Sequence, residues 1–367
     1  MSTRLKQLFD AEGQSPWLDN LNRSYITSGH MHAVLDDGIR GLTSNPSIFQ
    51  KAIQGSSDYD NQFSELIAGG LSVIDCYWEM VATDIRGALD IFRPLYDASN
   101  GLDGYVSVEV DPMLANDTEG TMSAARSLHE VINRPNVMIK IPATVEGLPV
   151  IRKMISEGKN VNVTLIFSLE RYADVIEAYV SGIEELAQIS PHRLKDVFSV
   201  ASFFISRVDV ETDRRLTAIG SDAANSLVGR SAIAQAQLAY QQFESVFHSD
   251  RWNRLQAMGA NMQRPLWAST STKNPDLPDT LYVDRLIGRH SVNTLPDATM
   301  LAFMDHGTVQ QSIQTNIQDA QQVWSLLEEV GVEMTSVAKV LEREGVAAFQ
   351  TSFQELLIAL EEKKAKL

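Results

Sequence analysis

Short apolar runs alternate along the chain with longer stretches that are apolar on one face. Eight runs read as strands: residues 16–21, 39–43, 104–110, 137–141, 161–167, 197–205, 265–268 and 281–283. Between them lie segments with apolar residues at helical spacing, clearest at 57–68, 73–96, 118–133, 169–188 and 221–258. The Thr118-Glu119 opening of one of these resembles an N-terminal capping region. Such alternation predicts the α/β class and a closed parallel barrel, the (β/α)8 TIM barrel. An open doubly wound sheet is the competitor. It normally carries a glycine-rich phosphate loop after its first strand, and the chain has neither a G-x-G-x-x-G nor a Walker A pattern.

After Thr308 the pattern becomes all helical, over 308–330 and 336–367. No Pro/Gly/Ser linker marks the change. Residues 1–307 are therefore expected to form the barrel and 308–367 a helical extension packed on it. The closing run Glu361-Glu362-Lys363-Lys364-Ala365-Lys366 reads as a solvated helix end.

Composition narrows the function. The chain has 367 residues, 44% of them hydrophobic, enough to bury a full core. Its formal net charge of −16 argues against a nucleic-acid backbone or an anionic membrane as partner. Small phosphorylated ligands stay admissible, because a few placed cations suffice for those. The single cysteine, Cys76, excludes an intrachain disulfide and reads as a small buried hydrophobe on a helix. Residues 1–13 lack the apolar stretch of a signal peptide, and no segment is apolar enough for a bilayer, so a cytoplasmic location is expected.

One charge stands inside an apolar run: Lys140, in Val137-Met138-Ile139-Lys140-Ile141-Pro142-Ala143-Thr144. Burying an ammonium costs free energy, and desolvation favours the neutral amine. A neutral amine can attack a carbonyl and form a Schiff base. The octapeptide alone is equally compatible with a lysine that snorkels from a strand end or pairs with a carboxylate.

The strand ends weigh on that choice. Active-site groups of such a barrel gather at the C-terminal ends of its strands. Polar residues recur there: Asp19 after the first strand, Thr43-Ser44-Asn45-Pro46-Ser47 after the second, Glu109 and Asp111 at the third. Lys140 is on the fourth, Asn160, Asn162 and Thr164 on the fifth, Ser202 and Arg207 about the sixth, and Ser269 and Lys273 after the seventh. Asn45, preceding Pro46, taken alone reads as a turn residue. A purely structural barrel has no need of acids, an amine, amides and cations on so many separate strands.

Four segments then resemble the transaldolase family, in that family's order. They are Gly41-Leu42-Thr43-Ser44-Asn45-Pro46-Ser47-Ile48-Phe49, Val106-Ser107-Val108-Glu109-Val110-Asp111, Ile139-Lys140-Ile141-Pro142-Ala143-Thr144 and Asn160-Val161-Asn162-Val163-Thr164-Leu165-Ile166-Phe167-Ser168. The segment Trp267-Ala268-Ser269-Thr270-Ser271-Thr272-Lys273-Asn274-Pro275 resembles the long bacterial subgroup. It departs from the better-known pattern, in which an Arg follows the Ser more closely.

The resemblance implies transfer of a dihydroxyacetone unit through a lysine Schiff base, as in the pentose phosphate pathway. Sedoheptulose 7-phosphate or fructose 6-phosphate would be donor; glyceraldehyde 3-phosphate or erythrose 4-phosphate would be acceptor. Lys140 would be the nucleophile and Asp19 the acid/base at the C4 hydroxyl. Glu109 would act with Thr164 through a water. Asn45, Asn162 and Ser202 would hold hydroxyls, and Arg207, Ser269 and Lys273 the phosphate. No metal and no organic cofactor is implied, and the partners are sugar phosphates alone, with a homo-oligomer compatible. Phe204 stands where related aldolases that release dihydroxyacetone carry Tyr, so transfer is implied over cleavage. A cleaving fructose 6-phosphate aldolase on the same barrel and a non-catalytic sugar-phosphate-binding barrel are the alternatives; the latter would be expected to have lost Lys140 or Asp19.

Other motifs point elsewhere. His30 and His32, at i and i+2, cannot share one helix face as a metal pair would. Trp17, Trp78, Trp252, Trp267 and Trp324 read as core or rim packing, and Gly101-Leu102-Asp103-Gly104 as a turn before a strand.

Overall fold

The structure is a computed structural model and describes residues 2–366. Eight parallel strands close in sequence order into one barrel. They are β1 (Gln14–Leu18), β2 (Gly41–Thr43), β3 (Tyr105–Glu109), β4 (Val137–Pro142), β5 (Val161–Ile166), β6 (Ser199–Phe204), β7 (Gln263–Ala268) and β8 (Ser291–Leu295). Every strand residue is buried, which explains why β4 and β5 read as apolar runs without clean alternation. Trp17, Trp252 and Trp267 are fully buried, and Cys76 is buried on the helix Val73–Ala98.

The eighth strand is a correction. Residues 281–283 lie in a short helix, Leu281–Arg285, whose Tyr282 hydroxyl donates to the buried Asp209 carboxylate at 2.8 Å. Its Tyr282 and Val283 are buried. The true β8 is Ser-Val-Asn-Thr-Leu, whose Asn293 and Thr294 bond within the barrel and break the apolar signal. The long helical stretch expected over 221–258 is three helices, Asp222–Asn225, Ser231–Phe247 and Asp250–Ala257. The helical pattern expected from 308 forms helix only from Ile317 to Glu329 before the last helix begins.

Register places the chemistry. Glu109 on β3 pairs with Lys140 on β4, and Lys140 pairs with Asn162 on β5. Three polar side chains therefore form one row across three neighbouring strands. Past Val163 the register shifts, and Leu165 takes a positive φ of 60°. A bulge at this position re-aims the side chains beside it.

The opposite end of the barrel is closed by a buried ion network. Asp103 accepts from Arg40 at 2.7 Å, Arg264 at 3.1 Å and Ser15 at 2.9 Å. Asp103 sits in the turn read from the sequence, but its role as the hub of this plug carried no sequence signal. Asn160 also lies at this end. Its amide bonds Pro135 O and Phe198 N, so it clamps strand starts and stands apart from the residues at the mouth.

The last helix, Met334–Lys364, spans 31 residues, about 47 Å at 1.5 Å per residue. It crosses the C-terminal mouth of the barrel. Arg215, on the helix after β6, reaches Ser336 at 3.1 Å, and Ser352 bonds Ser47, after β2, at 2.6 Å. Lys363 in the charged terminal run pairs with Asp60, so that run is not wholly solvated.

Candidate active site

A cavity of about 360 Å³ opens at the C-terminal mouth. That is the size of a small-molecule site. Nine of the eleven residues given a site role from the sequence line it: Asp19, Asn45, Lys140, Thr164, Ser202, Phe204, Arg207, Ser269 and Lys273. Glu109 and Asn162 stand directly behind this lining. Glu109 reaches the Lys140 Nζ at 3.2 Å, and the Asn162 Oδ1 accepts from Ser202 at 2.7 Å while its Nδ2 donates to Ser107 at 2.9 Å.

Lys140 is 4% exposed. Its Nζ donates to the Ser44 carbonyl at 3.1 Å. The pairing with a carboxylate that the sequence left open is thus real, but the paired amine also borders an open cavity. Burial raises the proton affinity of Glu109 above that of an ordinary carboxyl, although Lys140 and Arg207 pull against it. Burial likewise raises that of Asp19, opposed by Lys140, by the 2.8 Å hydrogen bond from Thr43, and by Arg207. Two carboxyls with raised proton affinity beside a lysine suit proton transfer.

The strand ends fix these groups. The Asp19 N–H donates to the Leu295 carbonyl at 2.8 Å, extending the β1–β8 ladder by one residue. Thr43 also bonds Thr294 of β8 at 2.7 Å, so the acid is braced from both sides. Asn45 is the N-cap of the helix Pro46–Gln54 and accepts from the Ile48 N–H at 3.0 Å. It is both the expected turn residue and a cavity residue. Asp111 caps the short turn after β3, accepting from the Met113 N–H at 2.8 Å.

The cationic end of the cavity is built after β6 and β7. Arg207 is half-buried over the Phe204 ring at 5.3 Å, and Phe204 packs on Phe167 at 5.1 Å. Ser269 holds a left-handed φ of 58°, and its hydroxyl bonds Ser206 at 2.9 Å. Lys273 is exposed and donates to Ser271 at 2.5 Å. Further lining residues escaped the sequence reading: Thr43 as a site group, Lys51, Ser271, Thr294 and Phe349. Thr294 was hidden by the misplaced eighth strand. Lys51 follows Ser47 by one helical turn, a spacing that could have flagged it. Phe349 comes from the last helix, and its signal was only a helical period.

Residues 16–360 match the transaldolase/fructose-6-phosphate aldolase family. The chain belongs to that family. A transaldolase of Parafrankia sp. (strain EAN1pec) is 49% identical over 365 residues, spanning 99% of this chain and 98% of that protein. A transaldolase of Saccharopolyspora erythraea is 49% identical over 364 residues, with the same coverage. One of Thermobifida fusca is 48% identical over 359 residues, spanning 97% of each. The activity common to these relatives is a transaldolase's, the transfer of an aldehyde or ketone residue, and the chain is an enzyme of that kind. The match runs to residue 360, well into the last helix.

Proposed function

We propose that the protein carries a dihydroxyacetone unit on Lys140 as a Schiff base, taking it from fructose 6-phosphate or sedoheptulose 7-phosphate. The unit passes to glyceraldehyde 3-phosphate or erythrose 4-phosphate, as the pentose phosphate pathway requires. The observation that carries this is a buried amine 3.2 Å from a buried carboxyl, bordering a cavity that also holds Asp19 and Arg207.

Glu109 takes the proton that the Lys140 amine must lose before it attacks the donor ketone. Addition gives a carbinolamine, which loses water to an iminium; Glu109, with Thr164 through a water, supplies the proton for the departing hydroxyl. Asp19 removes the C4 hydroxyl proton. The C3–C4 bond breaks, its electron pair enters the iminium to give an enamine, and the first aldehyde leaves. An acceptor aldehyde reverses each step, and Asp19 returns the proton. Asn45, Asn162 and Ser202 hold the donor's hydroxyls. Arg207, Ser269 and Lys273 hold the phosphate, whose remote binding free energy orients the reacting carbons. Sugar phosphates fit a cavity that is cationic at one end in a chain of net charge −16. A cytoplasmic setting agrees with the lone buried cysteine; among the described residues no helix is long and apolar enough to cross a membrane.

A coupled assay with fructose 6-phosphate, with and without erythrose 4-phosphate, tests the reading. Turnover should require the acceptor. Equal release of dihydroxyacetone without acceptor would make the protein a cleaving aldolase.

A further inference from the structure

The last helix places one side chain in the cavity, and it is apolar. The Phe349 ring centroid lies 5.9 Å from the Lys140 Nζ, and the residue is 4% exposed. One turn earlier stands Gly345. A Cβ there would lie 3.0 Å from the Leu165 Cδ2 and 3.5 Å from both the Arg207 Nη1 and the Phe167 Cζ. The helix backbone therefore lies close against the cationic end of the site, which lets residue 349 reach the amine. One turn later Phe353 packs on Tyr77 and Trp78, at 5.2 Å and 6.3 Å between ring centroids, and anchors the helix on the flank. The polar anchors of the helix also lie outside this contact: Gln350 to the Pro112 carbonyl at 3.2 Å and Ser352 to Ser47 at 2.6 Å. Core packing accounts for Phe353. It does not account for a ring that borders open cavity beside the buried amine of Lys140.

We infer that Phe349 is a specificity-determining residue: its ring keeps water from the Lys140 adduct and so favours transfer over release of dihydroxyacetone. This rests on the Schiff-base reading above. The loss it suppresses is ordinary hydrolysis. The enamine takes a proton at its terminal carbon and becomes an iminium. Water adds to C2, the C–N bond of the resulting carbinolamine breaks, and dihydroxyacetone leaves while the lysine regains its amine. An apolar ring is suited to this position because the nitrogen changes. The ammonium carries three N–H donors and the iminium one, so fewer hydrogen bonds are forfeited when an aromatic face replaces water. The iminium remains cationic, and a ring face within about 6 Å attracts a cation.

The test compares Phe349→Ala, Phe349→Leu and Phe353→Ala with the wild type. Two rates are measured per borohydride-trappable lysine: dihydroxyacetone released from fructose 6-phosphate without acceptor, and transfer to erythrose 4-phosphate. Phe349→Ala should raise the release-to-transfer ratio roughly tenfold, as a modest change in one barrier does. Phe349→Leu, the safer variant for folding, should raise it less but in the same direction. Phe353→Ala should lower the melting temperature and leave the ratio unchanged. An unchanged ratio in both Phe349 variants overturns the inference while the Schiff-base reading stands. An equal rise in Phe353→Ala also overturns it, because general loosening of the helix would then suffice. A wild type in which no lysine is trapped removes the reading on which the inference rests.

Discussion

Replacing Arg207 by alanine separates phosphate binding from chemistry. The guanidinium is half-buried at the mouth end of β6, stacked over Phe204 at 5.3 Å. Burial lowers its proton affinity, and the carboxylates of Asp19, Glu109 and Glu344 act against that from a distance. A cation in such a place would suit an anion. A phosphate would accept two charge-assisted hydrogen bonds from it, each contributing about 1.5–3 kcal/mol. Taking a combined ~3–4 kcal/mol, kcat/KM for fructose 6-phosphate should fall by roughly 10²–10³. For unphosphorylated fructose, where the interaction is absent, kcat/KM should stay within about threefold of wild type. Stability should hold, because the variant removes a partly desolvated charge; a melting temperature within about 4 °C of wild type is expected. The assay is steady-state kinetics on both donors with a thermal melt. Equal losses on the two donors, or a large drop in melting temperature, would make Arg207 structural instead. The same pair of donors applied to Lys273→Ala shows whether that exposed lysine is the second phosphate cation.

Other outcomes follow from the same geometry. Asp19→Ala should lower kcat by about 10²–10⁴, the usual contribution of a general acid/base, with a smaller change in KM; a loss confined to KM would make Asp19 a binding residue. Phe204→Tyr should gain acceptor-independent release of dihydroxyacetone and lose transfer, because a phenol can hold a water that Phe cannot; unchanged partition would reduce Phe204 to packing. Asp209 is buried, and burial lifts its pKa to about 6 although Ala232 and Tyr282 donate to it. Because the folded state prefers it protonated, the stability it contributes is complete below pH ~4 and is lost as pH rises through about 6, a change of ~3 kcal/mol. Chemical denaturation of Asp209→Asn and wild type from pH 4 to pH 7.5 should show a loss of stability larger in wild type by about that amount, because Asp19 and Glu109 keep their own pH dependence in both proteins; parallel curves would contradict it.

How much the chain declared of itself depended on where the apolar signal was strong. β4 and β5 are buried on both faces, so Val137-Met138-Ile139 and Val161 to Ile166 were plain as runs, and the lone Lys140 stood out against them. β8 is short and carries Asn293 and Thr294 toward bonded partners inside the barrel. The apolar triplet 281–283 nearby gave the stronger but misleading signal. Strand-end groups such as Asp19 and Glu109 could be placed because a barrel fixes where its strand ends converge. Groups brought by helices could not. Lys51, Ser271 and Phe349 reach the cavity through helix and loop packing, which a period of 3.6 does not specify. Asn160 shows the opposite error. It shares a strand motif with Asn162, yet two residues along the chain separate the N-terminal clamp from the row of Glu109, Lys140 and Asn162.

The proposed function stands or falls on a covalent bond between Lys140 and the donor sugar. Borohydride reduction of the protein with fructose 6-phosphate, followed by peptide mass mapping, tests it most directly. A dihydroxyacetone-sized or hexose phosphate-sized addition is expected on the peptide containing Lys140, and none in Lys140→Arg, whose guanidinium cannot act as the amine does. Label on another lysine, or no label on a protein that still catalyses transfer, would contradict it.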